Sequence, residues 1–274
     1  MTTRRLCSLA LLALTLLPPA AMALTVTQAP ACSRLVASGN PQYPPYLWRD
    51  PADPDRLIGA NQELMQWLAK EIGIPIEVRY VGPWSRVQEE ARAGRIDLIA
   101  GAFFTLPRTE YMDYVYPAFR ETRSVVLVRQ SRSFRYARWA DLEGKIGLTV
   151  VNNSFGEEFD RFMRDRLTLT RVASLERALR MMELDRGDYL LYEDSPAQAF
   201  MASLNIQGIK ELEPPVAQER LYLTISHLST CNSAQLRGRL TRAMYKLRRA
   251  QQMVDFVSRG VQSWKSSPAV PDVR

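Results

Sequence analysis

A chain of 274 residues, 46% hydrophobic and 24% charged, has room for one large domain or two of ordinary size. Its formal charge of +7 comes with a single histidine and three cysteines that form no CxxC pair, which leaves zinc chemistry and histidine-based catalysis with almost no support. Basic character without a nucleic-acid reader motif also argues against DNA or RNA as a partner.

The chain opens with Arg4 and Arg5, an apolar run over 6–17, and the small-residue triplet Ala21-Met-Ala23. This is the layout of a cleaved export peptide, so 1–23 is set aside and the mature chain is expected to start near Leu24. The run is too short to span a bilayer, and no later stretch is long and apolar enough to do so. Cys32 and Cys231 remain after cleavage. An exported pair favours a disulfide, with two free buried thiols as the alternative.

Residues 34–37 read as a first strand. A proline-stiffened loop follows, Gly39 to Trp48, displaying Tyr43, Tyr46 and Trp48 as core staples or as a ligand wall. Asn61 is expected to cap a helix whose apolar face is Leu64, Met65, Leu68 and Ile72, with Gly73 as its stop. A strand at 76–80, a helix at 84–93 and a buried strand at 98–100 come next. Gly101 lets the backbone leave that strand, and Thr105 can cap a short turn that carries Arg108. A guanidinium is suited to a carboxylate because its planar fork offers two parallel donors. Two readings of Arg108 stand side by side: a ligand anchor, or a surface cation paired with Glu110 or Asp113.

A strong β run at 124–129 precedes a second α/β series. It comprises a short helix at 139–144, a strand at 146–151, and a helix to about 165 opened by the Ser154/Glu157 capping box. A strand at 168–172, a helix at 175–183 and a strand at 189–192 follow, then a helix to about 204 opened by the Ser195/Gln198 box. A returning strand at 221–226 and helices at 233–250 and 251–264 complete the pattern, with a frayed tail after Ser266. The basic stripe of Arg237, Arg239, Arg242, Lys246, Arg248 and Arg249 reads as a solvated helix face. His227 beside Ser226 is read as a structural histidine, since strand neighbours face opposite ways. Asn153 and Ser154 stand at a helix start, where free N–H groups attract anions. Asp194 ends a buried strand and can hold an ammonium group, with Glu193, on the opposite face, as second choice.

Taken together, Tyr43-Pro-Pro-Tyr46, Gly59-Ala-Asn-Gln-Glu-Leu64, Gly94-Arg-Ile-Asp97, Thr105-Leu-Pro-Arg108, Tyr116-Pro-Ala-Phe119, Asp141-Leu-Glu-Gly-Lys145 and the run from Asp188 to Asp194 resemble the periplasmic solute-binding proteins of amino-acid ABC transporters, family 3. The resemblance spans nearly all of the mature chain. It implies an α/β type II periplasmic-binding fold, with two α/β sheets joined by two hinge crossings. Lobe 1 would comprise 24–129 and 216–274, and lobe 2 130–215. It also implies a non-enzymatic, monomeric periplasmic protein that closes on an amino acid or derivative and hands it to an ABC transporter permease, with no cofactor and no metal. Arg108 would grip the α-carboxylate, Asp194 the α-amino group, and Tyr43 and Tyr46 would form the aromatic wall. Gly101, Ala102, Phe103 and Thr105 would line the first-lobe side, and Asn153, Ser154 and Phe155 would reach the ligand on closure. Phe103 and Phe155 depart from the family pattern by replacing small or hydroxyl residues, which favours a bulkier or modified ligand. The alternatives are a periplasmic enzyme on the same scaffold, dehydratase-like, and a sensory module that presents ligand to a receptor.

Overall fold

The first apolar segment forms β1 (Leu35–Ser38), and the proline-rich stretch after it contributes β2 (Gln42–Tyr43) and β3 (Leu47–Asp50). β3 pairs with β2 on one side and with β4 (Asp53–Ile58) on the other, in a small antiparallel sheet that the loop-like composition of the segment had hidden. α1 (Ala60–Ile72), β5 (Ile76–Val78), α2 (Trp84–Arg92), β6 (Leu98–Phe103) and the single turn α3 (Leu106–Thr109) complete the first α/β series. The chain then runs through β7 (Met112–Arg129) into β8 (Ile146–Val150), α4 (Glu157–Arg166), β9 (Thr168–Val172), α5 (Leu175–Glu183), β10 (Tyr189–Glu193) and α6 (Asp194–Ser203). It returns through β11 (Ile209–Ser226) to α7 (Ala234–Arg249) and α8 (Gln252–Ser266). This computed structural model describes residues 32–266; the expected export peptide and frayed tail lie outside them.

The large sheet has the order β5-β1-β6-β11-β7-β10-β8-β9. Each end is a parallel triplet of the kind that crossover helices produce. Between them, β7 and β11 form an antiparallel pair, 18 residues each. Strands of that length run about 60 Å at ~3.3 Å per residue, enough to pass through both lobes. The two expected sheets are therefore joined through their crossings into one. The apolar run at 124–129 is only the last third of β7. Its earlier part, interrupted by Arg120, Glu121 and Arg123, is held by pairing to β11 rather than by apolar patterning.

Both faces of each triplet are covered. In the first lobe, Leu35, Leu64, Leu68 and Leu98 pack with Leu240 and Met244 of α7, while Ile99 and Met112 pack with Trp84 and Val87 of α2. In the second, Leu190 and Tyr192 face α5 and α6, whereas Tyr189 and Leu191 face Phe155 and Phe159. The alternation is the two-residue period of a strand buried on both sides. Cys32 and Cys231 form a disulfide across 199 positions and pack against the first-lobe core. At the C-terminal end of α8, Trp264 packs between Trp48 and Phe200 and donates to the Ala199 carbonyl at 3.1 Å.

Three expected caps are placed differently. Gly59 occupies the N-cap of α1, and Asn61 is buried inside its first turn, donating to the Ala100 carbonyl at 2.5 Å. Gly156, not Ser154, caps α4. The Ser154 hydroxyl instead bonds Asp160, and Glu157 accepts from the Leu106 N–H at 3.2 Å. α6 starts one residue before Ser195, whose hydroxyl bonds Asp194, while Gln198 reaches Glu211. Asn61, Glu157 and Gln198 are drawn away by partners distant in sequence, whereas the Ser154 and Ser195 hydroxyls turn to carboxylates of their own segment, Asp160 and Asp194. His227 meets Asp113 at 3.2 Å, in keeping with a structural role.

Candidate functional site

On the first-lobe side, Gly101 sits inside β6 at φ +123°, a backbone that side chains rarely adopt, and a Cβ there would come within 3.1 Å of Asn61 and Leu221. The strand then runs into the one-turn α3, whose Pro107 suits a first helical turn. This delivers Arg108 to the carboxyl end of the strand, where open α/β sheets bind ligands. Arg108 is only 5% exposed. Its Nη1 donates to the Phe103 carbonyl at 2.9 Å, and its guanidinium lies 5.3 Å from the Trp84 ring centre. Among the described residues it has no carboxylate at ion-pair distance. Asp113, one of the two partners named for it as a surface cation, is engaged by His227 and Arg237 instead.

From the second lobe come Asn153, in the loop between β8 and α4, and Glu193, the last residue of β10. Glu193 is 3% exposed. Burial pushes its carboxyl up to about 7, against the opposing pull of Asn153 and Arg108. Glu193 Oε2, Asn153 Nδ2 and the Tyr43 hydroxyl are buried without a well-formed hydrogen bond among the described residues, although Asn153 stands near enough to Glu193, and Thr122 to Tyr43, to favour the charged form of each. All three residues line one cavity with Arg108, Phe103 and Trp84, about 20 Å³ in volume, room for roughly one water. Buried polar atoms are ordinarily satisfied, and orphaned ones cost about 1–3 kcal/mol each. Together with a guanidinium that has no carboxylate at ion-pair distance among the described residues, these three atoms give this cavity hydrogen-bonding capacity to spare at the junction of the lobes.

Of the residues singled out from sequence, Tyr43, Gly101, Ala102, Phe103, Arg108 and Asn153 line this cavity. Tyr46 stands behind Tyr43, ring centres 5.0 Å apart, and its hydroxyl accepts from Arg120 at 3.3 Å. Thr105 holds the N-cap position of α3 without a side-chain cap bond. Ser154 is spent on Asp160, and Phe155 is fully buried against Phe159, 5.9 Å between ring centres. Asp194 is the main displacement. It lies on α6 rather than on the strand, its carboxylate accepting from the Ser195 N–H and lying 3.8 Å from Arg123, and the cavity wall is formed by Glu193 in its place. Strand alternation puts Glu193 on the side of Tyr189 and Leu191, the side from which Asn153 approaches.

Asn40, Trp84 and Leu221 also line the cavity and carried no sequence signal as ligand residues. Trp84 was legible only as the first residue of a helix after Gly82-Pro83. Two of these side chains join the lobes: Asn40 Nδ2 donates to the Tyr192 hydroxyl at 3.2 Å, and Trp84 Nε1 to the Asn152 carbonyl at 3.1 Å. Among the described residues there is no cluster of His, Cys, Asp and Glu that could hold a metal, and no helix long and apolar enough to cross a membrane.

A family model described as bacterial extracellular solute-binding proteins, family 3, matches residues 35–268. No curated protein matches the chain in sequence. Among solved structures, the P235GK mutant of ArgBP from T. maritima superposes with a TM-score of 0.70 at 16% identity, covering 84% of this chain and 96% of that one. A histidine kinase sensor domain with similarity to periplasmic binding proteins gives 0.69 at 21% identity, covering 86% and 97%. The substrate-binding protein of an amino-acid ABC transporter gives 0.68 at 16% identity, covering 84% and 99%. At these identities the likeness is one of fold.

Proposed function

Because the chain belongs to the bacterial extracellular solute-binding proteins of family 3, we propose that it captures an amino acid or related small zwitterion by lobe closure and delivers it to an ABC transporter. The observation that carries the ligand class is the facing pair: a buried guanidinium without an acid from one lobe, a buried carboxyl without a base from the other. Arg108 takes the ligand carboxylate, and Glu193 takes the ammonium role that the resemblance assigned to Asp194. Tyr43 and Trp84 enclose the ligand. Each lobe contributes one half of the charge complement, so the ligand stabilises the closed arrangement by contacts it makes only there.

The expected division at 129/130 and 215/216 shifts along the crossing strands: Ser124 to Leu127 pair with β10 and Val125 to Val128 pack in the second-lobe clusters, so β7 crosses before Ser124, whereas Leu212 and Val216 pack in the second lobe and Leu221 to Ile225 pair with β6, so β11 crosses between Val216 and Leu221. The protein works as an exported periplasmic monomer, binding rather than transforming its ligand: the cavity holds one carboxyl, not the acid/base pair that chemistry on a substrate would need. Mass spectrometry of what co-purifies, followed by calorimetry, tests this. Zwitterion recovered unchanged at one per chain supports it; conversion to product, or binding only of amine-free acids, overturns it. The sensor-domain likeness favours a second reading, ligand presentation to a receptor. Deletion of the gene separates the two, abolishing uptake of labelled ligand in one case and only the transcriptional response in the other.

A further inference from the structure

The cavity at Arg108 and Glu193 has room for about one water in this arrangement, so the charged head of a ligand enters it only as the lobes part. Next to it lies a second cavity of about 770 Å³, within the size range of small-molecule sites. Asn40 and Trp84 line both. The partition between the two thus consists of the side chains whose hydrogen bonds to Tyr192 and Asn152 join the lobes. Those bonds must break when the lobes part, so an opened cleft presents the two spaces as one.

The walls of the larger space are aromatic and cationic. Trp48, Tyr80 and Trp84 supply flat apolar surface, and Arg49, Arg177 and Arg180 stand against one acid, Glu176. Arg49 is held in place, stacked 4.1 Å above the Tyr80 ring with Nε donating to the Pro54 carbonyl. Arg180 is partly neutralised by Glu183 at 3.0 Å. Arg177, on the first turn of α5, is exposed and makes no ion pair among the described residues. An excess of guanidinium groups around a cavity raises the local potential for anions.

We infer that this space is a side-chain compartment for a ligand whose far end is anionic: an α-amino acid extended by a spacer to a distal carboxylate, of the size of a γ-glutamyl dipeptide. This rests on the reading of Arg108 and Glu193 as the anchors of the zwitterionic head. The head stays at those two residues, the spacer passes Asn40 and Trp84, and the distal carboxylate meets the exposed guanidinium groups of Arg177 and Arg180. Arginine, which fits the same head, carries the wrong distal charge for this compartment.

Calorimetry at low and moderate salt with four probes tests the inference: γ-glutamylglycine, its uncharged counterpart γ-glutamylethylamide, glutamine and arginine. The expected order is γ-glutamylglycine about tenfold tighter than γ-glutamylethylamide, with arginine weakest, and a preference that shrinks as salt rises. In the Arg177→Gln/Arg180→Gln variant, altered only at exposed positions, the advantage of γ-glutamylglycine should vanish while binding of glutamine is unchanged. Equal affinities for the charged and uncharged probes, or a preference that survives the double variant, overturns the compartment and leaves the zwitterion reading standing. If no probe binds, and Arg108→Ala changes nothing with the co-purified molecule, both fall.

Discussion

The two ends of the candidate site are built in the same way and differ in what secures them. In each, a parallel strand runs into a helix at the cleft: β6 into α3 on one side, β10 into α6 on the other. The first delivers its charge beyond the strand, through Gly101 and a helical turn, on a lobe closed by the Cys32–Cys231 disulfide. The second delivers its charge from the last residue of the strand itself, on a lobe that no disulfide crosses among the described residues. The cation is thus fixed by a shaped backbone, and the acid by strand alternation and burial. That difference teaches where each half is vulnerable: the first to loss of its frame, the second to titration.

Removing the frame should have the largest effect. For a loop of 199 residues the chain-entropy model gives about 5 kcal/mol. Cys32→Ser with Cys231→Ser should lower the melting temperature accordingly, and hydrogen exchange should rise around β1 and α7 with β8–β10 little changed; uniform loosening of both lobes would break the contrast. Arg108→Ala comes next. It should cost about 4 kcal/mol of ligand affinity, as the loss of a desolvated charge-assisted contact does, with a normal melt. Unchanged calorimetry would remove Arg108 from the site.

Titration tests the other half. The Glu193 carboxyl, raised to about 7 by burial from its usual 4.5, holds its proton in the folded protein after the unfolded chain has released it. Its favourable contribution is complete below about pH 4.5 and is lost as pH rises through 7. Ligand-free wild type should therefore fall behind Glu193→Gln by roughly 3 kcal/mol between pH 4.5 and pH 8, at 1.36 kcal/mol per unit. Parallel stability curves would refute the buried-acid assignment. At pH 8, Glu193→Gln should weaken binding of amine-bearing ligands by about 2 kcal/mol and leave amine-free acids nearly untouched. Asp194→Asn should cost less than about 1 kcal/mol, because its partner Arg123 is a partly exposed cation. The reverse ranking of these two variants would return the ammonium role to Asp194.

The placement of Arg108 after β6 was legible in the sequence because its signal is local. Gly101, Thr105 and Arg108 are spaced by turn geometry that a single stretch of chain dictates. The Glu193 half was not. The choice between Glu193 and Asp194 depends on where β10 ends and α6 begins, and one residue of shift turns each carboxylate to the opposite side. The capping boxes misled because Ser154 and Glu157 fit the local pattern, yet Ser154 found Asp160 on the helix that follows and Glu157 found the Leu106 N–H across the cleft. The small sheet of β2, β3 and β4 was hidden by prolines that read as loop. The strand and helix alternation, by contrast, was carried by apolar periodicity, which long-range contacts reinforce.

The central pair of β7 and β11 sets how the lobes can move. Two antiparallel strands that exchange hydrogen bonds along their length resist sliding, because every bond would have to change partner at once. They yield far more readily to twisting. Their register is interrupted at two places, between Leu212 and Ala217 and between Leu221 and Leu223. Compliance concentrates there, so the pair behaves as a torsion spring with two soft segments rather than as a loose joint. Leu221 is at once a residue of the cavity wall and the edge of one soft segment. On the proposed reading, a guest that presses on Leu221 would load the spring directly and turn one lobe about the long axis of the ribbon.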